Sequence, residues 1–241
     1  GALTGLYDDF FDKTGMKDQQ ILEMMNDPFT YHPESSLERL FIEFMQNVHK
    51  NLILKDYFNL SFKNVFEAQK KSLKQMDAQL SYEDILKITF EKGGHSVLFY
   101  RSAFTVPVTK GEEQALYQLG SLMQLGNDIF DAWKDQQTGI RTPITAASHI
   151  KTVREVFRKK MYTALQACDD AGFDRKNLLR FRRKFILAIS RCFVCMDQLE
   201  KLEKRSGGTF SPSEYSRKDM IKKKKKPANI LKAIKYYLKN N

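Results

Sequence analysis

Nowhere does this sequence hold the roughly 18–20 continuous apolar residues that a membrane-spanning helix requires. Its opening, GALTGLYDDFF, lacks the basic n-region and long apolar run of a secretory signal, so a cytoplasmic protein is expected. Cysteine is scarce: Cys168, Cys192 and Cys195 are an odd number, and no second Cys or His cluster stands near the last two. A disulfide framework is excluded and a zinc site disfavoured, which leaves buried reduced thiols as the expectation. Period-2 alternation bounded by hairpin turn residues is missing throughout, which speaks against β-structure. Proline occurs six times, at Pro28, Pro33, Pro107, Pro143, Pro212 and Pro227, each at a plausible helix boundary.

What is present is helical periodicity, in a chain of 241 residues long enough for one sizeable core. SSLERLFIEFMQNVHKNLIL offers Ser35 or Ser36 as a cap and Leu37, Leu40, Phe41, Phe44 and Val48 as a buried stripe. FKNVFEAQKKSLKQMDAQ repeats the pattern with Phe62, Val65, Phe66 and Leu73. SYEDILKITFEKGGHSVLFYRSAF opens on a cap-like Ser81 followed by acids in its first turn, as the helix dipole favours. A further long helix is expected from GEEQALY to near Gly139, then helices over 148–171 and 174–205. An all-α domain over 1–210 is the reading, followed over 211–241 by a basic tail with one short amphipathic helix.

Charge is unevenly placed. Of the formal +11, residues 1–150 carry 15 Lys and Arg against 20 Asp and Glu, and residues 151–241 carry 25 against 9. The basic second half suits an anionic partner: a phosphorylated substrate, lipid headgroups or nucleic acid. No nucleic-acid-binding motif is present and no aromatics interleave with the KKKKK run at 222–226, so a nucleic-acid partner is not expected. That run with AIKYYLKNN could instead touch an anionic membrane surface peripherally.

Two acidic stretches stand apart from this background. In GNDIFDAWKD, Asn127, Asp131 and Asp135 recur every four residues, within roughly 80° on a helical wheel, and Asp128 lies beside them. Like charges at this spacing repel by a few tenths of a kcal/mol per pair, and Lys134 is the only positive residue among them. In GLYDDFFDKTG, Asp8, Asp9 and Asp12 gather on one face, flanked by Phe10 and Phe11. Carboxylates grouped in this way are the ligands hard cations such as Mg²⁺ take, alongside water and substrate phosphates.

Two such clusters on separate helices of an all-α chain resemble the class I isoprenoid synthase superfamily: polyprenyl diphosphate synthases, squalene/phytoene synthases and class I terpene cyclases. DDFFD resembles the first motif, DDxxD, which implies metal-ligand roles for Asp8, Asp9 and Asp12. NDIFDAWKD resembles the second in two registers, Asn127–Asp128–Asp131 or Asn127–Asp131–Asp135. EKGGHSVLFYR resembles the helix that follows a diphosphate-binding lysine in prenyltransferases, where a break widens the cavity. A Gly pair inside a helix costs about 2 kcal/mol relative to alanines, so Gly93 and Gly94 serve a kink or a close approach.

The resemblance implies a helical bundle with a central cavity, three Mg²⁺ with substrate bound, and a prenyl diphosphate substrate. Lys92, Arg101, Lys134 and Arg141 are the candidate diphosphate contacts, and Phe10, Phe11, Gly93 and Gly94 the candidate cavity residues. In a straight helix Lys92 and Arg101 point about 180° apart, so both reach the cavity only if the glycines bend it. The implied activity is ionisation of an allylic diphosphate for prenyl transfer or condensation. The alternatives are cyclisation or a non-catalytic lipid-binding relative, and a homodimer is compatible with each. The chain departs from the family in having the first motif only eight residues in, where helices are expected upstream. It also has no arginine at the cyclase sensor position and Asp135 where cyclases carry Glu.

Overall fold

The computed structural model describes residues 16–51, 53–220 and 227–240, and every regular element among them is helical. The helices are α1 (Asp18–Asn26), α2 (Ser36–Asn51), α3 (Lys55–Ser72), α4 (Tyr82–Ser102), α5 (Lys110–Thr138), α6 (Ile150–Asp170), α7 (Arg175–Arg205), α8 (Arg217–Met220) and α9 (Pro227–Asn240). Short 3₁₀ turns occupy Leu73–Met76 and Pro212–Glu214. No helix among the described residues is long and apolar enough to cross a membrane.

The chain divides into two compact units, residues 1–60 with 102–107, and residues 61–101 with 108–241. In the first unit, α2 begins with a reciprocal cap: Ser35 Oγ accepts from the Glu38 amide and donates to the Glu38 carboxylate. That carboxylate also accepts from the Glu34 amide at 2.8 Å, which draws Glu38 inward and buries it. The buried stripe is consequently Glu38, Phe41, Ile42 and Met45. Leu37, Leu40 and Phe44, which periodicity alone assigns to the interior, are exposed. Gln46 ties α2 to the carbonyl of Pro28 at 2.8 Å, and His49 Nε2 lies 3.2 Å from that of Met25.

The second unit is built around α5, α6 and α7, whose apolar faces form one continuous core. Phe157 of α6 and Phe193 of α7 meet edge to face at its centre, with ring centroids 5.2 Å apart, both fully enclosed. All three cysteines are buried free thiols, as their apolar setting implied. Thr109 caps α5 by accepting from the Glu112 amide, and Gly139 ends it in the left-handed conformation at φ 72°. Ser81 caps α4 in the same manner through the Asp84 amide.

α9 packs along α7. Its Tyr236 ring stacks on Phe193, with centroids 5.1 Å apart, and the Tyr236 hydroxyl donates to Asp197 at 2.6 Å. Asp197 also accepts from Arg154 of α6, so one carboxylate joins three helices.

Candidate functional site

α4 and α5 run antiparallel in unusually close contact. Thr89 lies against Asp128, Gly93 against Gly120 and Gln124, and Gly94 against Tyr117. A Cβ on Gly93 would collide with the carbonyl oxygen of Gly120, and one on Gly94 would sit 2.5 Å from the Tyr117 ring. The glycine pair therefore serves a close approach. α4 continues unbroken from Tyr82 to Ser102 without the break expected from the resemblance. Ser121 Oγ reinforces the contact by donating to the Phe90 carbonyl across the helix pair at 2.9 Å.

This packing places the α5 acidic face beside Lys92. Asp128 is buried: its carboxylate accepts from Thr89 Oγ1 at 3.2 Å and from Gln124 Nε2 at 2.9 Å. Burial pushes its carboxyl up to about 6, with the Asp131 charge adding to the shift, while Gln124, Lys92 and Thr89 oppose it. Asp135, half-buried, is pushed up to about 7 by burial and then by the charges of Asp128 and Asp131, against the pull of Lys134 and Lys92. Asp131 is half-buried in the same sector. Asn127 is exposed and turned to a different surface, the lip of an apolar groove of about 590 Å³. Val97, Met123, Phe130, Phe181 and Phe185 line that groove between α4, α5 and α7.

The other candidates lie elsewhere. Arg101 forms an ion pair with Glu112, Nε to Oε1 at 2.6 Å, on the side of α4 away from Lys92. Arg141 spends its guanidinium on the chain before α4, with Nη1 donating to the carbonyls of Ala78 at 2.8 Å and Leu80 at 2.6 Å. Lys134 is exposed on α5. Asp8, Asp9, Asp12, Phe10 and Phe11 fall outside the described residues. Among the described residues, no three carboxylate, histidine or cysteine side chains converge on a point that could hold a metal ion.

Two residues escaped notice in the sequence: Thr89 and Gly120. Thr89 and Gly93 share a face of α4 at i, i+4, and Gln124 and Asp128 do so on α5. That spacing is the signal that could have found them.

These two carboxyls bind their protons more tightly folded than unfolded. The stability they contribute is complete below the unfolded value of 3.8 and is lost as pH rises through about 6 and 7. In metal-free buffer, the stability measured by urea denaturation is expected to fall between pH 4 and pH 8. Asp128→Asn removes the charge, its Oδ1 still accepting from Gln124 and its amide donating to Thr89 Oγ1 once that hydroxyl turns, and should restore on the order of 2–3 kcal/mol at pH 8 while changing little at pH 4. A variant no more stable than the parent at pH 8 would contradict this account of the face.

No family model matches this chain, and no curated protein or solved structure is significantly similar to it.

Proposed function

We propose that this chain is a metal-dependent enzyme of isoprenoid biosynthesis that ionises an allylic prenyl diphosphate for prenyl transfer or condensation, with class I cyclisation as the alternative outcome. What supports the reading is one juxtaposition: Lys92 beside the crowded carboxylates Asp128, Asp131 and Asp135 across the α4–α5 contact. Burial and mutual repulsion make it costly for Asp128 and Asp135 to ionise, a cost that Lys92 and Lys134 only partly offset and that a bound cation would relieve. Such a face favours a hard cation, and its oxygen donors suit Mg²⁺.

The donors supply one half of a clamp, with Asp131 and Asp135 the available ligands and Asp128 held behind them by Thr89 and Gln124. Asp8, Asp9 and Asp12 would supply the other half. When bound, the metal stabilises the charge that builds on a departing diphosphate. Lys92 adds a fixed positive charge for that group, worth most where water is excluded. The groove beside Asn127 lies on a different surface from these carboxylates and offers apolar walls to an isoprenoid chain.

A non-catalytic lipid-binding protein is the second reading, favoured by the same groove, which could hold an isoprenoid without turnover. The test incubates the protein with Mg²⁺ and geranyl, farnesyl or geranylgeranyl diphosphate, with and without isopentenyl diphosphate, and follows diphosphate release and products by mass spectrometry. Release is expected, falling by about 100-fold in Asp131→Ala and in Asp8→Ala. Isoprenoid binding without release selects the second reading. Release unaffected by both substitutions removes the proposed site.

A further inference from the structure

α9 presents three distinct sectors. Ala233, Tyr236 and Tyr237 face α7 and the core, where Tyr236 is held by Phe193 and Asp197. Ile230, Leu231, Ile234 and Leu238 form a second, exposed sector, from Ile234 at 40% to Leu238 at 71% exposure. Lys232, Lys235 and Lys239 form the third, and the helix contains no acidic residue. At about 100° per residue the exposed aliphatic strip spans roughly a third of the circumference, with the lysines along one border. Four aliphatic side chains turned outward on a helix anchored by two aromatic rings are a built surface, because the anchors fix which side faces away.

We propose that this strip docks the protein on an anionic lipid membrane, with α9 lying in the interface plane. Charge complementarity selects the occupant. The lysine border and the excess of 25 basic over 9 acidic residues in 151–241 suit phosphate headgroups, while the aliphatic strip suits the acyl boundary beneath them. A second copy of the chain fits poorly in an antiparallel two-fold pairing, which brings the two lysine borders together. The inference is independent of prenyl diphosphate chemistry and is tested without it.

The full chain is sedimented with vesicles of phosphatidylcholine alone and of phosphatidylcholine mixed with phosphatidylglycerol. Binding is expected on the mixed vesicles, weakening with added salt. The double variant Leu231→Glu/Leu238→Glu should lower the partition coefficient by about 10-fold or more. Each of Lys232→Gln, Lys235→Gln and Lys239→Gln should lower it by about 5-fold on mixed vesicles only. Because all five side chains are exposed, circular dichroism and melting should match the parent. The proposal is overturned by no binding to mixed vesicles, or by binding that the leucine variant leaves intact, since lysines alone would then adsorb the protein. Self-association abolished by the leucine variant would also overturn it, the occupant then being a second copy.

Discussion

Replacing Gly93 with alanine is expected to destabilise the protein by about 3 kcal/mol, although alanine is the better helix former by about 1 kcal/mol. The two effects oppose each other, and the geometry decides between them. The added Cβ would collide with the Gly120 carbonyl oxygen and lie 2.9 Å from its carbon and 2.5 Å from Gln124 Cβ. Main-chain atoms have no rotamer to escape into, so α4 and α5 must separate. Separation weakens the Thr89–Asp128 and Ser121–Phe90 hydrogen bonds and opens the seam that brings Lys92 to the acidic face. For a chain of this size the loss corresponds to a fall in melting temperature on the order of 10 °C. Gly94→Ala is the contrast: the atoms nearest its Cβ belong to the Tyr117 side chain and not to main chain, so a smaller loss of about 1–2 kcal/mol is expected. Urea denaturation of the two variants measures the contrast, and a Gly93→Ala protein at least as stable as the parent would refute the close approach.

Arg154→Ala is expected to cost a comparable amount, about 3 kcal/mol, for a different reason. Arg154 is almost fully buried, with Nε donating to Glu200 at 2.7 Å and Nη2 to Asp197 at 2.9 Å. Its guanidinium carbon also lies 6.0 Å from the centre of the Phe193 ring. Removal leaves two carboxylates without their shared cation, one of them also the acceptor for Tyr236. Both keep some access to water, which holds the figure at the lower end for broken buried pairs. Arg154→Lys should recover less than half of the loss, because an ammonium cannot span both carboxylates as a planar fork does. Denaturation reports the energy, and faster proteolysis of α9 reports the weakened Asp197 junction. A loss below about 0.5 kcal/mol would show that the pair behaves as a surface one.

The helices themselves were legible wherever periodicity and caps agreed. α5 is the clearest, since a wide apolar stripe ends at Gly139, whose φ of 72° only a glycine adopts easily. α2 was read one residue out of phase because its sequence carries two overlapping apolar stripes that share Phe41. Glu38 settled the choice by turning inward to cap the helix, a role for a charge that hydrophobic periodicity does not register. The acidic face was legible as a face: Asp128, Asp131 and Asp135 do share a sector of α5. Asn127, at the edge of the same wheel, faces the groove, because which neighbour covers each side of a helix is a tertiary fact. The same holds for the glycines, whose composition allowed a kink or a contact, and for Arg101, whose partner Glu112 stands eleven residues ahead on α5.

Arg141 bears on the chain's entropy. Its main chain pairs with Gln75, its amide donating at 2.7 Å and its carbonyl accepting from the Gln75 side chain at 3.0 Å, while its guanidinium grips the carbonyls of Ala78 and Leu80. These bonds join residues 61 to 66 positions apart, closing a ring that contains all of α4 and α5. Closing a flexible ring of that length costs about 3–4 kcal/mol of conformational freedom, and the cost grows only with the logarithm of length. Extra residues in the turn joining the two helices would therefore add little to it. The alignment of Lys92 with the carboxylates is thus held by the clasp at one end and the glycines in the middle.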